Sequence, residues 1–143
     1  MSRARSKARR CALQALYSWQ LAGQDLADIE KQFFAEQDVA GADRAYFSEL
    51  LRNVPQQTTE LDAHYRGYLD RSVEDLDPIE LAILRIGVYE LTQHPEIPFR
   101  VIINEAVELA KVFGADQSHR YINGVLDKVA RTLRAVEVKM KAP

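Results

Sequence analysis

The chain has 143 residues, 47% of them apolar and 28% charged, with a formal net charge of −2 and one cysteine. That length supports one domain with a real core, the composition is that of a soluble globular protein, and a lone Cys11 excludes an internal disulfide. No apolar run approaches the roughly 20 residues of a membrane span, and the basic start is too soon interrupted by Gln14, Ser18 and Gln20 to read as a signal peptide, so a cytoplasmic location is expected.

The charge is unevenly placed. Of 19 Lys and Arg, five fall within the first ten residues (Arg3, Arg5, Lys7, Arg9 and Arg10), and all 21 Asp and Glu lie beyond them. Basic arms of this kind usually meet a polyanion; the plainer reading is a solubilising terminus.

Helical periodicity follows at once. From about Arg5 to Ala22, one stripe holds Cys11, Ala12, Ala15, Leu16 and Trp19, and a second holds Leu13, Tyr17 and Leu21. Two stripes predict a helix contacted on two sides, ending near Gly23. Asp25 caps a second helix with Ile29 and Phe33 inward. Asp43 caps a third, where Phe47, Leu50, Leu51, Val54, Leu61, Tyr65 and Tyr68 keep helical spacing. Pro55 falls inside this pattern; because the phase survives it, one bent helix is expected.

Ser72–Asp75 predicts a short helical turn. Asp77-Pro78-Ile79-Glu80 is a strong start signal, with Asp77 as N-cap, Pro78 at N1 and Glu80 reaching back to the cap. The helix to about Gln93 is apolar nearly all round and should be the most buried. After the Pro95–Pro98 loop, a helix from about Arg100 to Phe113 ends at Gly114. Asp116 or Ser118 caps the last, which carries Ile122, Val125, Leu126, Val129 and Leu133. No alternating strand pattern competes. The expected fold is all-α: two small bundles of about seven helices, covering about 5–70 and 72–134 of a single domain spanning 1–143, with a basic arm at 1–10 and a frayed tail at 136–143.

Catalytic chemistry is hard to find. There is no Gly-rich phosphate loop, no Cys pair and no helical His-x-x-x-His pair. Glu105, Glu108 and Lys111 share a helix face and read as a solvated ion-pair face. Neither enzyme activity, a metal nor a cofactor is expected. Binding chemistry is better represented. Nucleic acids need cations for phosphates and flat groups for bases. The arm supplies cations; Tyr68 and Tyr121 are candidates for stacking or for burial, and Tyr65 for core packing. The Leu13–Tyr17–Leu21 stripe would contact either this same chain or a docked protein.

Four segments carry a resemblance: Arg9–Gln20 (RRCALQALYSWQ), Leu84–Leu91 (LRIGVYEL), Ile103–Lys111 (INEAVELAK) and Asn123–Lys128 (NGVLDK). Over about residues 5–133, in order and spacing, the chain resembles the NusB family of transcription antitermination factors. The resemblance implies a fold of two helical subdomains and binding of the boxA element of nascent rRNA leaders, as single-stranded RNA, together with NusE, a small-subunit ribosomal protein. That complex would join elongating RNA polymerase and suppress premature termination. Carried onto this chain, the RNA surface would include Arg3, Arg5, Lys7, Arg9, Arg10, Tyr68, Gln117, Ser118 and Tyr121. Tyr17, Leu21, Glu74 and Glu80 would face NusE. Without that partner, the apolar face would support a homodimer. A helical protein-binding adaptor in ribosome assembly is the alternative.

Overall fold

Local capping explains where most helices begin. In the computed structural model, which describes residues 2–36 and 38–141, the Ser2 hydroxyl accepts from the Arg5 amide at 3.2 Å and starts α1 (Arg3–Ala22). Asp25 and Asp43 do the same for α2 (Leu26–Ala35) and α3 (Arg44–Gln56), accepting from Asp28 and Tyr46 amides. Asp77 accepts from the Ile79 amide at 2.8 Å and opens α5 (Pro78–Gln93). Each cap satisfies an amide that would otherwise lack an intrahelical partner. The remaining helices are α4 (Thr58–Tyr65), α6 (Phe99–Phe113), α7 (Ser118–Leu133) and α8 (Ala135–Lys141), with 3₁₀ turns at Arg66–Tyr68 and Val73–Asp75. No strand occurs among the described residues.

The chain forms two compact units, Met1–Gln57 and Thr58–Pro143. In the first, α1, α2 and α3 pack on one another. Ala8, Cys11, Ala12, Leu13, Ala15 and Leu16 of α1 are all buried, covering more than half of its circumference. Phe47 of α3 receives Phe33 at 5.4 Å between ring centroids and Phe34, edge-on, at 5.8 Å.

In the second, α5, α6 and α7 pack pairwise, and α4 lies against α5 and α7. Helix α5 buries Ala82, Ile83, Leu84, Ile86, Val88, Tyr89 and Leu91; each large apolar side chain contributes about 1.5–3 kcal/mol. Gly87 permits a close crossing, since a Cβ there would stand 3.0 Å from Leu126 Cδ1.

Several expectations need correction. The bent third helix is two helices. Pro55 is accommodated in the last turn of α3, but Gln57 leaves helical geometry (φ −118°) and α4 starts anew at Thr58. Proline removes one backbone donor and crowds the carbonyl four residues earlier, a loss taken up inside the last turn of α3, and the helical ladder ends two residues beyond it. The chain therefore divides at Gln57, whereas the sequence points to a boundary near 70–72. Of the tail expected to fray at 136–143, the part as far as Lys141 is helical, and 142–143 lie outside the described residues. Arg134 explains this: its guanidinium donates to the carbonyls of Leu91, Ile97 and His94 and to Glu137, anchoring the start of α8. The capping box at Asp77 is open on one side, because Glu80 turns away to Ser118.

Candidate nucleic-acid interface

The arm is helical, because Ser2 caps it before its first cation. That placement spends several of its charges internally. The Arg5 guanidinium lies over the Tyr46 ring at 4.2 Å, with Nε 3.9 Å from Asp43 Oδ2. Lys7 Nζ donates to the Ala40 carbonyl. Arg9 is only 3% exposed, its guanidinium 5.5 Å from the same Tyr46 ring. The Asp43 amide donates to the Ala4 carbonyl at 2.9 Å, tying this loop to the arm. Arg5, Lys7 and Arg9 thus stitch α1 to the first turn of α3 and the loop before it, and of the five arm cations only Arg3 and Arg10 are exposed.

Arg3 and Arg10 are seven residues apart, so they share one face about 10 Å apart along the axis. The same face continues through Gln14 (exposed), Tyr17 (half-buried) and Leu21, 57% exposed. Leu13 does not belong to it; it is fully buried. One outward stripe of α1 therefore runs from cations to an aromatic and an aliphatic group.

The second unit holds the aromatic candidates. Tyr68, ending a 3₁₀ turn, is 37% exposed, its hydroxyl 3.1 Å from Thr132 Oγ1. Tyr65 is fully buried and donates to Asp62 Oδ1 at 2.6 Å. Tyr121 is half-buried; its hydroxyl donates to Asp70 Oδ1 at 3.0 Å and accepts from the Asp70 amide at 3.4 Å. Burial pushes the Tyr121 phenol up. Arg71 covers its ring, with Cζ 5.0 Å from the centroid. Arg71 Nε and Nη2 donate to the two carboxylate oxygens of Asp70 at 2.6 and 3.0 Å. Those bonds hold the Asp70 carboxyl below the usual range and raise the Arg71 guanidinium, so both stay charged at neutral pH.

Other candidates are placed differently from expectation. Ser118 is buried and donates its hydroxyl to Glu80 Oε2 at 2.5 Å, and Glu80 is itself only 8% exposed. The pair is committed to joining α7 to α5, which leaves neither side chain displayed toward RNA or a partner protein. Gly114 leaves room for Ser118, since a Cβ there would fall 2.9 Å from that of Ser118. The N-cap of α7 is neither Asp116 nor Ser118 but Gln117, exposed and left-handed at φ 69°. Glu74 is exposed on the Val73–Asp75 turn. Glu108 pairs with Lys111 at 3.6 Å on the surface, but Glu105 is buried rather than solvated. Asp70 and Arg71 escaped sequence reasoning, because their contact with Tyr121, 51 positions beyond Asp70, leaves no local pattern.

Among the described residues no group of three His, Cys, Asp or Glu is arranged to hold a metal ion, and no helix is long and apolar enough to cross a membrane.

An all-helical fold with two exposed cations on one helix, an exposed tyrosine and a second tyrosine under an arginine defines a protein with the make-up of a nucleic-acid binder. Comparison with known proteins gives the particular family. The NusB family model matches residues 6–131, and the chain belongs to that family. It is 57% identical to transcription antitermination protein NusB of Nitrosococcus oceani, over 99% of this chain and 95% of that one. It is 56% identical to the protein of the same name from Alcanivorax borkumensis, over 98% and 93%. Among solved structures it is similar to T. maritima NusB (TM-score 0.81, 26% identity, 97% of this chain and 99% of that one). It is also similar to a chain from a complex of antitermination factors NusB and NusE with dsRNA (TM-score 0.82, 26% identity, 92% and 99%).

Proposed function

We propose that this protein is a non-enzymatic transcription antitermination factor acting in the cytoplasm. It binds the boxA element of nascent rRNA leaders as single-stranded RNA, together with NusE. The complex joins elongating RNA polymerase and promotes processive transcription. The observation that carries this reading is the 57% identity to an antitermination protein over 99% of the chain. The NusB–NusE complex with RNA among its structural neighbours supports the choice of partners.

Roles follow exposure. Arg3 and Arg10 meet phosphates. Tyr68 and the Tyr121 region, beside exposed Gln117, meet bases. Arg5, Lys7 and Arg9 act through the helix they fasten. Tyr17, Leu21 and Glu74 receive NusE, while Glu80 supports α7 through Ser118. Where NusE is missing, the Tyr17–Leu21 stripe pairs with a second copy.

The test is titration of labelled boxA RNA, a scrambled strand and a boxA duplex, each with and without NusE. The expected result is preference for single-stranded boxA, strengthened by NusE. Equal binding of the scrambled strand under both conditions would overturn the RNA specificity. Tighter binding of the duplex would reverse the assignment to single strands, since the neighbouring complex holds double-stranded RNA. Retention of NusE with no RNA binding at all would favour the adaptor in ribosome assembly.

A further inference from the structure

The Tyr121 ring is not bare. Arg71 occupies one face of it, and three residues close a loop: Arg71 grips both oxygens of Asp70, Asp70 accepts from the Tyr121 hydroxyl, and Tyr121 lies beneath the guanidinium. Stability alone is a weak account of this arrangement. Asp70 and Arg71 side chains are 62% and 42% exposed, and exposed ion pairs contribute little. A carboxylate near RNA would ordinarily repel phosphate, yet here it is neutralised by a neighbour that it also orients. An Arg side chain normally moves through many rotamers; two charge-assisted bonds and an aromatic floor remove most of that freedom in advance.

Resting on the reading of this face as an RNA surface, we propose that Arg71 is the base-stacking residue at this site, with Asp70 and Tyr121 as positioning residues. An unpaired base lies on the outer side of the guanidinium, and the Tyr121 ring backs it from within. Guanidinium planes accept bases as aromatic rings do, and a cation already resting on a ring is stabilised where it must stay. The site takes an unpaired nucleobase; a phosphate contact would need only the charge.

Arg71→Ala, Arg71→Lys, Tyr121→Ala and the Arg71→Ala/Tyr121→Ala double variant are titrated with labelled single-stranded boxA RNA at two salt concentrations. Because Arg71 is surface-exposed, the Arg71 variants should melt as the parent does, which circular dichroism checks. Arg71→Ala and Arg71→Lys should each weaken binding roughly tenfold. The Lys variant should keep the parental salt dependence. The double variant should bind no more weakly than Arg71→Ala, because Tyr121 acts through Arg71. Rescue by Lys would mean a phosphate contact and would overturn the proposal. So would unchanged or tighter binding of Arg71→Ala alongside weakened Tyr121→Ala, which returns stacking to the ring and leaves the RNA-face reading intact. Failure of the parent protein to bind this RNA, alone or with NusE, would sink that reading itself.

Discussion

Asp62 anchors a buried ion pair in the second unit. It is 6% exposed, pairs through both oxygens with Arg85 at 3.0 and 2.9 Å, and accepts from the Tyr65 hydroxyl. Burial and that bond push the Tyr65 phenol far up, so the phenol stays a neutral donor. Removing one partner of a buried pair costs more than the pair contributes, because the other charge is left desolvated. Asp62→Ala should therefore destabilise folding by about 3–5 kcal/mol, read as a lowered urea midpoint. A loss below 1 kcal/mol would mean that water reaches Arg85 readily and that the cluster is peripheral. None of this cluster is written as a motif. Tyr65 reads as a core residue from its spacing, and Asp62 stands one turn before it, but Arg85, which pairs with Asp62, lies on another helix, and pairing across helices leaves no periodic trace. The same holds for Ser118 and Glu80, 38 positions apart. Each looks like a local capping group in the sequence, and each is claimed by the other in the fold.

Helix α1 shows what a single element can and cannot announce. Its second apolar stripe is split, Leu13 being buried and Leu21 exposed, whereas its length, its main apolar stripe and its stop before Gly23 are local properties legible from residue spacing. So are the caps at Asp25, Asp43 and Asp77, which need only a side chain two or three residues from an amide. The fate of each arm cation is different. It depends on Asp43, Tyr46 and Ala40, brought alongside by packing of α1 with α3 and its preceding loop. Five arm charges engaged on single-stranded RNA would give a salt slope of about −3.5, whereas two would give about −1.4. Paired replacement of Arg3 and Arg10 by Ala should flatten the slope by about 1.4, with folding intact because both are exposed. Arg5→Ala should instead lower thermal stability through loss of its contacts to Tyr46 and Asp43, while shifting the slope little. A flattening equal for Arg3 and Arg5 would show that the Arg5 cluster opens when RNA binds. The region of Pro55 marks the limit of periodicity in another way: apolar phase persists from α3 into α4, but the backbone ladder stops at Gln57, a break to which side-chain spacing is blind.

At the scale of the whole molecule, the proposed function divides between charge that would draw RNA and an apolar surface that would receive a protein. On α1 these lie on one stripe: Arg3 and Arg10 at its start, Tyr17 and Leu21 at its end. A partner seated on the last two would leave the cations free for RNA, so NusE and RNA need not compete for this helix. Leu21 separates the two roles experimentally. It is 57% exposed, so Leu21→Asp removes no core packing and should leave thermal unfolding within about 0.5 kcal/mol of the parent. A carboxylate placed in an apolar interface loses its hydration without a counter-charge, so co-purification with NusE should fall steeply. Binding of boxA RNA by the variant alone should weaken only slightly, through one added negative charge well beyond Arg10. The enhancement that NusE gives to RNA binding should vanish with it. Full recovery of NusE by Leu21→Asp would place the protein interface elsewhere, with exposed Glu74 in the second unit as the next position to change. Loss of RNA binding together with NusE binding would show instead that the two ends of the stripe act as one surface.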